Sequence, residues 1–392
     1  MRNDLRFYMT DPEKLDPEQR KINALPYYIS FVVEGGPGTG KTTLAMARAE
    51  ALSRQGYRTL LLVHSRLLLR CIQESQPKTN WETVEFYTIN SDGTYDYRDF
   101  NSYYTAFTYS RWLDDLYMQR FAEHYPVIAK DKPDWDMIEE RIRGLGKIYD
   151  AIVVDEGQDF PVPLLRCLKS LSASVSVFLD PLQATEETRT SANVAAYVLS
   201  ADIYSLSVNY RSTKAINDVS NLFRRTSPVA SEPGREGTAP AVIASSGYEE
   251  ELNRITEILS ATKGKTVGII LDTRPAQQLY DDLRARLGSE VSIQLYQPKD
   301  YRSFDCGTGG AKIISYSNAK GLEFDIVLLP QFTRAASGND EASDLARINI
   351  AVSRAREQLY LFTRQGERDS TSKWIDTSSV LRAHPESFLF LY

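Results

Sequence analysis

Cysteine is scarce in this chain. Its three cysteines, Cys71, Cys167 and Cys306, lie far apart and form no CxxC pair. That excludes a zinc site and a disulfide framework as organising devices, and reduced thiols fit a cytoplasmic setting. Positive charge is not in excess either: 46 Lys and Arg face 52 Asp and Glu, for a net charge of −6. A globally basic surface is excluded, so nucleic acid, if bound, must be met by a local patch or groove. No apolar run approaches the length that spans a membrane, and the opening "MRNDLRFYMTDPEK" has no apolar signal core, so no membrane is expected among the partners. Internal repeats and low-complexity segments are missing too.

What is present reads as an ordinary globular composition, 42% hydrophobic and 25% charged over 392 residues. That length allows two or three domains, each with its own core. Short apolar runs alternate with helix-length segments: "YYISFVVEG", "TLLLVHS", "AIVVDE", "VSVFLD", "TVGIILD" and "AKIISYS". Such alternation predicts α/β architecture with parallel sheets and crossover helices. A first α/β unit is expected to end near Ser205, and "SEPGREGTAPA" (Ser231 to Ala241) reads as a loop. One region breaks the rhythm. From Trp81 to Trp135 the sequence carries 15 of the chain's 42 aromatic residues. Two readings stand: a small insertion subdomain with its own core, or a surface that stacks bases or docks a partner.

The sharpest local signal is "GGPGTGKTT" (Gly35 to Thr43), which follows an apolar strand and opens the helix "KTTLAMARAEAL". It fits GxxxxGK[ST]. Gly36, Gly38, Thr39 and Gly40 present backbone N–H groups to phosphate oxygens, with Thr43 beside them on the first turn. Lys41 reaches the β- and γ-phosphates, and the Thr42 hydroxyl ligates Mg²⁺. ATP and Mg²⁺ are therefore the expected cofactors. A second signal explains an otherwise costly crowding of charge. "AIVVDEGQDF" places Asp155, Glu156 and Asp159 just beyond an apolar strand, where like charges need a cation to offset them. Asp155 is assigned to the metal opposite Thr42, and Glu156 to the base that takes a proton from the attacking water.

A phosphate loop with an acidic strand end describes many ATPases, but "DEGQDF" is narrower. It resembles motif II of superfamily 1 helicases of the UvrD/Rep/PcrA type, and other motifs of that family follow in order. "LDPEQ" (Leu15 to Gln19) resembles the Q motif: Asp16 caps a helix, Pro17 suits its first position, and Gln19 is implied to read the adenine edge. "LDPLQAT" resembles motif III, with Gln183 reporting on the γ-phosphate. "LSVNYRS" resembles motif IV, with Tyr210 on adenine and Arg211 on the γ-phosphate. "SYSNAKGLEFDIVLLP" resembles motif V, with Gly321 and Glu323 at the ribose-phosphate end. "NIAVSRAREQLYL" resembles motif VI, with Arg354 on the family's second arginine finger. The resemblance implies two RecA-like P-loop NTPase domains, with parallel sheets flanked by helices, plus the small insertion. Residues 1–80 and 147–205 are expected to form domain 1A, 81–146 a 1B-like insertion, and 206–392 domain 2A, with ATP between the two RecA-like domains.

The sequence also departs from that family. The first insertion is short and the second is missing, which weighs against processive unwinding. "QATEETRTSANV" lacks the aromatic that follows family motif III. Where motif Ia is expected, "LLLVHSRLLLR" offers Ser65 and Arg66 as phosphate contacts at a strand's C-terminal end, and His64 as either a strand contact or plain structure. Arg54, Arg58, Arg66 and Arg70 read equally as a solvated face or a nucleic-acid track. The apolar end "ESFLFLY" reads as a final strand or a docking tail. The expected function is an ATP-dependent translocase or minimal helicase on single-stranded nucleic acid. The resemblance places DNA ahead of RNA and gives a 3′→5′ direction. The alternative is a regulatory UvrD-like ATPase subunit that senses nucleotide or DNA ends and controls a partner nuclease, as in anti-phage defence. Its partner would then dock on the aromatic insertion or the C-terminus.

Overall fold

The computed structural model describes residues 15–63, 67–69, 87–89, 95–97, 105–129, 132–180, 190–223, 232–233, 235–297, 304–305, 309–332, 341–364, 381 and 384–391. These divide into two compact units. The first holds the described residues of Phe7–Gly35 and Gly40–Leu206; the second holds Gly36–Thr39 and the described residues of Ser207–Tyr392.

In the first unit, the short helix α1 (Pro17–Asn23) is fixed by local chemistry. Asp16 accepts from the Gln19 backbone N–H at 2.9 Å, Gln19 Oε1 accepts from the Asp16 N–H at 3.3 Å, and Pro17 occupies the first turn. The chain continues through β1 (Phe31–Gly35), α2 (Lys41–Arg54) and β2 (Thr59–Val63). Two short strands, β3 (Tyr87–Ile89) and β4 (Tyr95–Tyr97), pair antiparallel. Next come β5 (Thr105–Thr108), α3 (Tyr109–Phe121), the antiparallel pair β6 (Val127–Ala129) and β7 (Lys132–Pro133), and α4 (Trp135–Arg143). The unit closes with β8 (Tyr149–Val154), α5 (Val162–Leu171), β9 (Ser172–Leu179), α6 (Ala192–Leu199) and β10 (Asp202–Leu206).

Six of these strands form one sheet in the order β10-β1-β9-β8-β2-β5, and every pairing is parallel. The central stretches 31–33, 60–63, 151–154 and 177–179 are apolar and buried because both faces of the sheet are covered there. Phe31, Val33, Leu61, Val63 and Val153 turn to one face and pack on α1 and α2 through Ile22, Leu44, Ala49 and Leu52. Val32, Leu60, Leu62, Ile152 and Val154 turn to the other, against Trp112, Leu116, Ile138 and Leu168. The alternation is the two-residue period of a strand. Part of the described aromatic-rich region joins the main sheet and its core. Its β5 extends the main sheet by pairing with β2, and Trp112, Leu113 and Ile138 join the main core.

The second unit starts with β11 (Val208–Asn209), α7 (Lys214–Leu222), β12 (Glu232–Pro233) and β13 (Ala241–Ser245). It continues with α8 (Tyr248–Ala261), β14 (Thr266–Leu271), α9 (Thr273–Leu287), β15 (Ile293–Leu295), β16 (Gly310–Ser315) and β17 (Phe324–Leu329). It ends with α10 (Glu341–Val352), β18 (Ala355–Arg364) and β19 (Leu389–Leu391). Its seven-stranded sheet runs β15-β16-β14-β17-β18-β13-β19, again all parallel. Leu252, Ile255 and Leu259 of α8 and Leu279 and Leu283 of α9 bury one face against Ile243, Ile269, Ile313 and Leu328. The terminal apolar stretch is a strand, β19, paired with β13. The fold class is α/β, with two units that each build a parallel sheet flanked by helices. Among the described residues no helix is long and apolar enough to cross a membrane.

Candidate nucleotide site

In the first unit the strand-loop-helix run β1 to α2 places the phosphate-loop lysine. Gly40, immediately before α2, takes φ 87°, a left-handed backbone that favours glycine. A Cβ there would lie 2.8 Å from the Gln19 amide nitrogen, so the end of the loop and the buried Gln19 side chain are built against each other. Lys41 is nearly buried. Its Nζ donates to the Gly35 carbonyl at 2.8 Å and stands 3.7 Å from the Asp180 carboxylate. Thr42 and Thr43 follow on the first turn of α2, half-buried.

β8 ends at Val154 and delivers Asp155 and Glu156, both buried, beside α2. The Asp155 carboxyl is pushed up to about 7, first by burial and then by the neighbouring Glu156 charge; the Thr42 hydroxyl, which donates to it, and Lys41 act in the opposite direction. One oxygen, Asp155 Oδ2, is buried with no hydrogen-bond partner. A buried carboxylate oxygen of this kind is costly unless something positive meets it. Next to a threonine hydroxyl, it is the donor set that a hard, oxygen-seeking Mg²⁺ accepts. Among the described residues no cluster of three or more His, Cys, Asp and Glu is gathered to hold a metal.

Glu156 has φ 57°, a left-handed conformation for a residue with a side chain, at a cost of about 1–2 kcal/mol. The turn that follows, Gly157–Asp159, is a single 3₁₀ turn. Within it Gln158 Nε2 donates to Glu156 Oε2 at 2.5 Å, and Gln158 Oε1 accepts from the Asp180 backbone N–H at 2.9 Å. Sequence reasoning missed Gln158 and Asp180 as site residues. Asp180 carried a signal, since "VSVFLD" ends an apolar strand in an acid just as "AIVVDE" does.

The second unit holds Gly36, Gly38, Thr39, Tyr210, Arg211, Gly321, Glu323 and Arg354. In it the Gly36 carbonyl accepts from the Thr39 hydroxyl at 3.0 Å, and the Gly38 carbonyl accepts from the Tyr210 N–H at 2.9 Å. The Tyr210 side chain is 48% exposed. Arg211 Nη2 donates to Glu323 Oε1 at 2.6 Å and its Nη1 to the Ser353 carbonyl at 3.3 Å. Burial works to raise the Glu323 carboxyl, but Arg211, with Arg356 and Arg354 behind it, outweighs this and holds it below the usual glutamate range. Gly321 sits at φ 78° just ahead of it. Arg354 is buried and fully engaged. Its Nε donates to the Ile350 carbonyl at 2.9 Å, its Nη1 to the Leu322 carbonyl at 3.3 Å and its Nη2 to Ser353 Oγ at 3.0 Å. It thus ties the motif V segment to the end of α10. Ser65, Arg66 and Gln183 lie outside the described residues, as do His64, Cys71 and Cys306.

No family model matches the chain, and no curated protein matches it either. Among solved structures it is similar to the C-terminal domain of a possible DNA helicase from Lactobacillus plantarum WCFS1. The identity is 20% over 47% of this chain and 99% of that one, with a TM-score of 0.35. It is also similar to the arterivirus nonstructural protein 10 helicase, at 16% identity over 89% of this chain and 62% of that one (TM-score 0.42). A third likeness is to the PRRSV helicase, at 13% identity over 90% of this chain and 56% of that one (TM-score 0.43). The chain therefore spans under two thirds of the length of these two viral helicases.

Proposed function

We propose that the chain is an ATP hydrolase that drives translocation, or limited unwinding, on single-stranded nucleic acid. The observation that carries the chemistry is the buried Asp155–Glu156 pair at the end of β8, set against Lys41 and Thr42 of α2, with Asp155 Oδ2 lacking a protein partner. In this reading Asp155 and Thr42 hold Mg²⁺, which when bound neutralises phosphate charge. Lys41 exchanges its contacts with Gly35 and Asp180 for phosphate oxygens. Glu156 takes the proton of the attacking water. Gln19, beside Gly40, is assigned to the base edge.

The motif resemblance extends the proposal to the second unit. Tyr210 stacks on adenine, Gly321 and Glu323 meet the ribose and phosphates, Gln183 reports on the γ-phosphate, and Arg211 and Arg354 neutralise developing charge, a role worth on the order of 10³–10⁵ in rate. Arg354 has to release backbone carbonyls to do so. Ser65 and Arg66 are assigned to the nucleic-acid backbone, with DNA ahead of RNA and travel 3′→5′, both from the same resemblance.

The test is steady-state ATP hydrolysis by the purified chain alone and with single-stranded DNA, single-stranded RNA or duplex DNA, at fixed low salt because such binding is salt-dependent. Stimulation by one kind of single strand is expected and names the track. A rate indifferent to every nucleic acid refutes translocation and returns the chain to the regulatory ATPase. No hydrolysis under any condition refutes both.

A further inference from the structure

The side chain of Gln158 is fully buried and is used at both ends. Its carbonyl oxygen accepts from the Asp180 backbone N–H at the end of β9, and its NH₂ donates to Glu156 Oε2. The orientation of the amide follows from its neighbours. A backbone N–H can only donate and an ionised carboxylate can only accept, so the oxygen must face Asp180 and the nitrogen Glu156. The Gln158 backbone is itself tied, because its carbonyl accepts from the Thr190 N–H at 3.2 Å. Glu156 stands on a left-handed backbone at the strand end, and the Gln158 amide is a group that meets its carboxylate there.

We propose that Gln158 is a positioning residue for Glu156, orienting the carboxylate that takes the proton of the attacking water by bracing it against the backbone at the end of β9. The inference rests on Glu156 being that base. A group held within about half an ångström of its working geometry by such a brace acts far better than a loose one. The arrangement needs both arms of the amide: the acceptor fixes the brace and the donor fixes the base.

Two substitutions separate the arms. Gln158→Glu keeps an acceptor for the Asp180 N–H but removes the donor and sets a carboxylate against Glu156. Gln158→Met fills similar space and removes both. With MgATP and the best-stimulating nucleic acid, both variants should lose on the order of 10–10²-fold in kcat, part of the ~10²–10⁴ that a positioned base contributes. KM and the Kd for a non-hydrolysable ATP analogue should stay within about threefold of wild type; retained affinity also shows that the variants are folded. In single-turnover hydrolysis, Gln158→Met added to Glu156→Gln should cost little further rate, because no base remains to be oriented. Wild-type kcat in Gln158→Glu overturns the proposal, as the donor arm would then be idle. Multiplicative losses in the double variant overturn it as well, and so does a tenfold loss of nucleotide affinity in both single variants. A Glu156→Gln protein that turns over normally instead removes the assignment of the base itself.

Discussion

Gly157 separates the two residues of that brace, and replacing it with alanine gives a measurable test of how tightly the strand end is built. A Cβ at 157 would lie 2.4 Å from Val177 Cγ1, 3.4 Å from the Phe178 carbonyl oxygen and 3.7 Å from Leu179 Cβ. Carbon atoms in ordinary contact are about 3.5–4.0 Å apart, so the new methyl is too close to Val177 by roughly 1 Å or more. Val177 cannot easily give way. It is fully buried, it pairs with Val32 on one side and Val154 on the other, and its branched side chain has restricted χ1 freedom. Relief has to come from movement of β9 or of the Gly157–Asp159 turn, and overpacking of this kind costs about 1–3 kcal/mol. For a unit of this size, ~2 kcal/mol lowers the thermal midpoint by roughly 4–8 °C. The buried Trp112, in the same core, gives the fluorescence signal. Val177→Ala removes the offending methyl, so the double variant should be less destabilised than the sum of the singles by about 1–2 kcal/mol. An unchanged midpoint in Gly157→Ala, or strict additivity in the pair, refutes the close packing from which this follows.

Three further outcomes are expected. Lys41→Ala should weaken ATP binding by more than tenfold, on the order of 1.4 kcal/mol or more, and abolish turnover; calorimetric titration at unchanged affinity would remove the phosphate loop from the site. Arg354→Ala should destabilise the second unit by about 2–4 kcal/mol, because the Ile350 and Leu322 carbonyls lose a buried donor; urea unfolding identical to wild type would show that those bonds carry nothing. The Arg211–Glu323 pair sets a pH dependence. Glu323's folded value lies below its unfolded value of about 4.3, so its contribution to stability is complete above that pH and is lost as pH falls through the folded value. The gap in thermal midpoint between wild type and Arg211→Met should therefore be widest near pH 7 and shrink toward pH 3. A gap that does not change with pH would show that the pair is electrostatically inert.

The parts of this molecule that are local in sequence could be read from it. The helix start at Asp16 and Pro17 needs only adjacent residues, and it forms. The apolar stretches within β1, β2, β8 and β9 are buried on both faces, and they announced strands of a parallel sheet. The apolar end "FLFL" also reads as a strand, and it forms β19 at the edge of the second sheet, where Leu389 and Leu391 stay exposed. What depends on distant pairing was not legible. "TAFT" is four residues with no marking of its own, and it becomes a sheet strand only because β2 leaves an edge open to it. Gln158 looks like one more polar residue in an acidic turn, and its meaning rests on where a backbone N–H at residue 180 falls. Arg354 sits where a family finger is expected, but the oxygens that hold it come from Ile350, Leu322 and Ser353, an environment that no motif spells out.

The order of strands in the first sheet has a consequence for synthesis. β1 carries the phosphate loop at its end, yet it lies between β9 and β10: Phe31 pairs with Ser176 and with Asp202. Neither neighbour exists when β1 leaves the ribosome. At about 5–20 residues per second, on the order of ten seconds pass before the first of them is made. For that interval "FVV" is an unpaired apolar strand with two open edges, a natural target for a holding chaperone. The strand that leads into the phosphate loop thus has both of its sheet neighbours only once the whole first unit has been made.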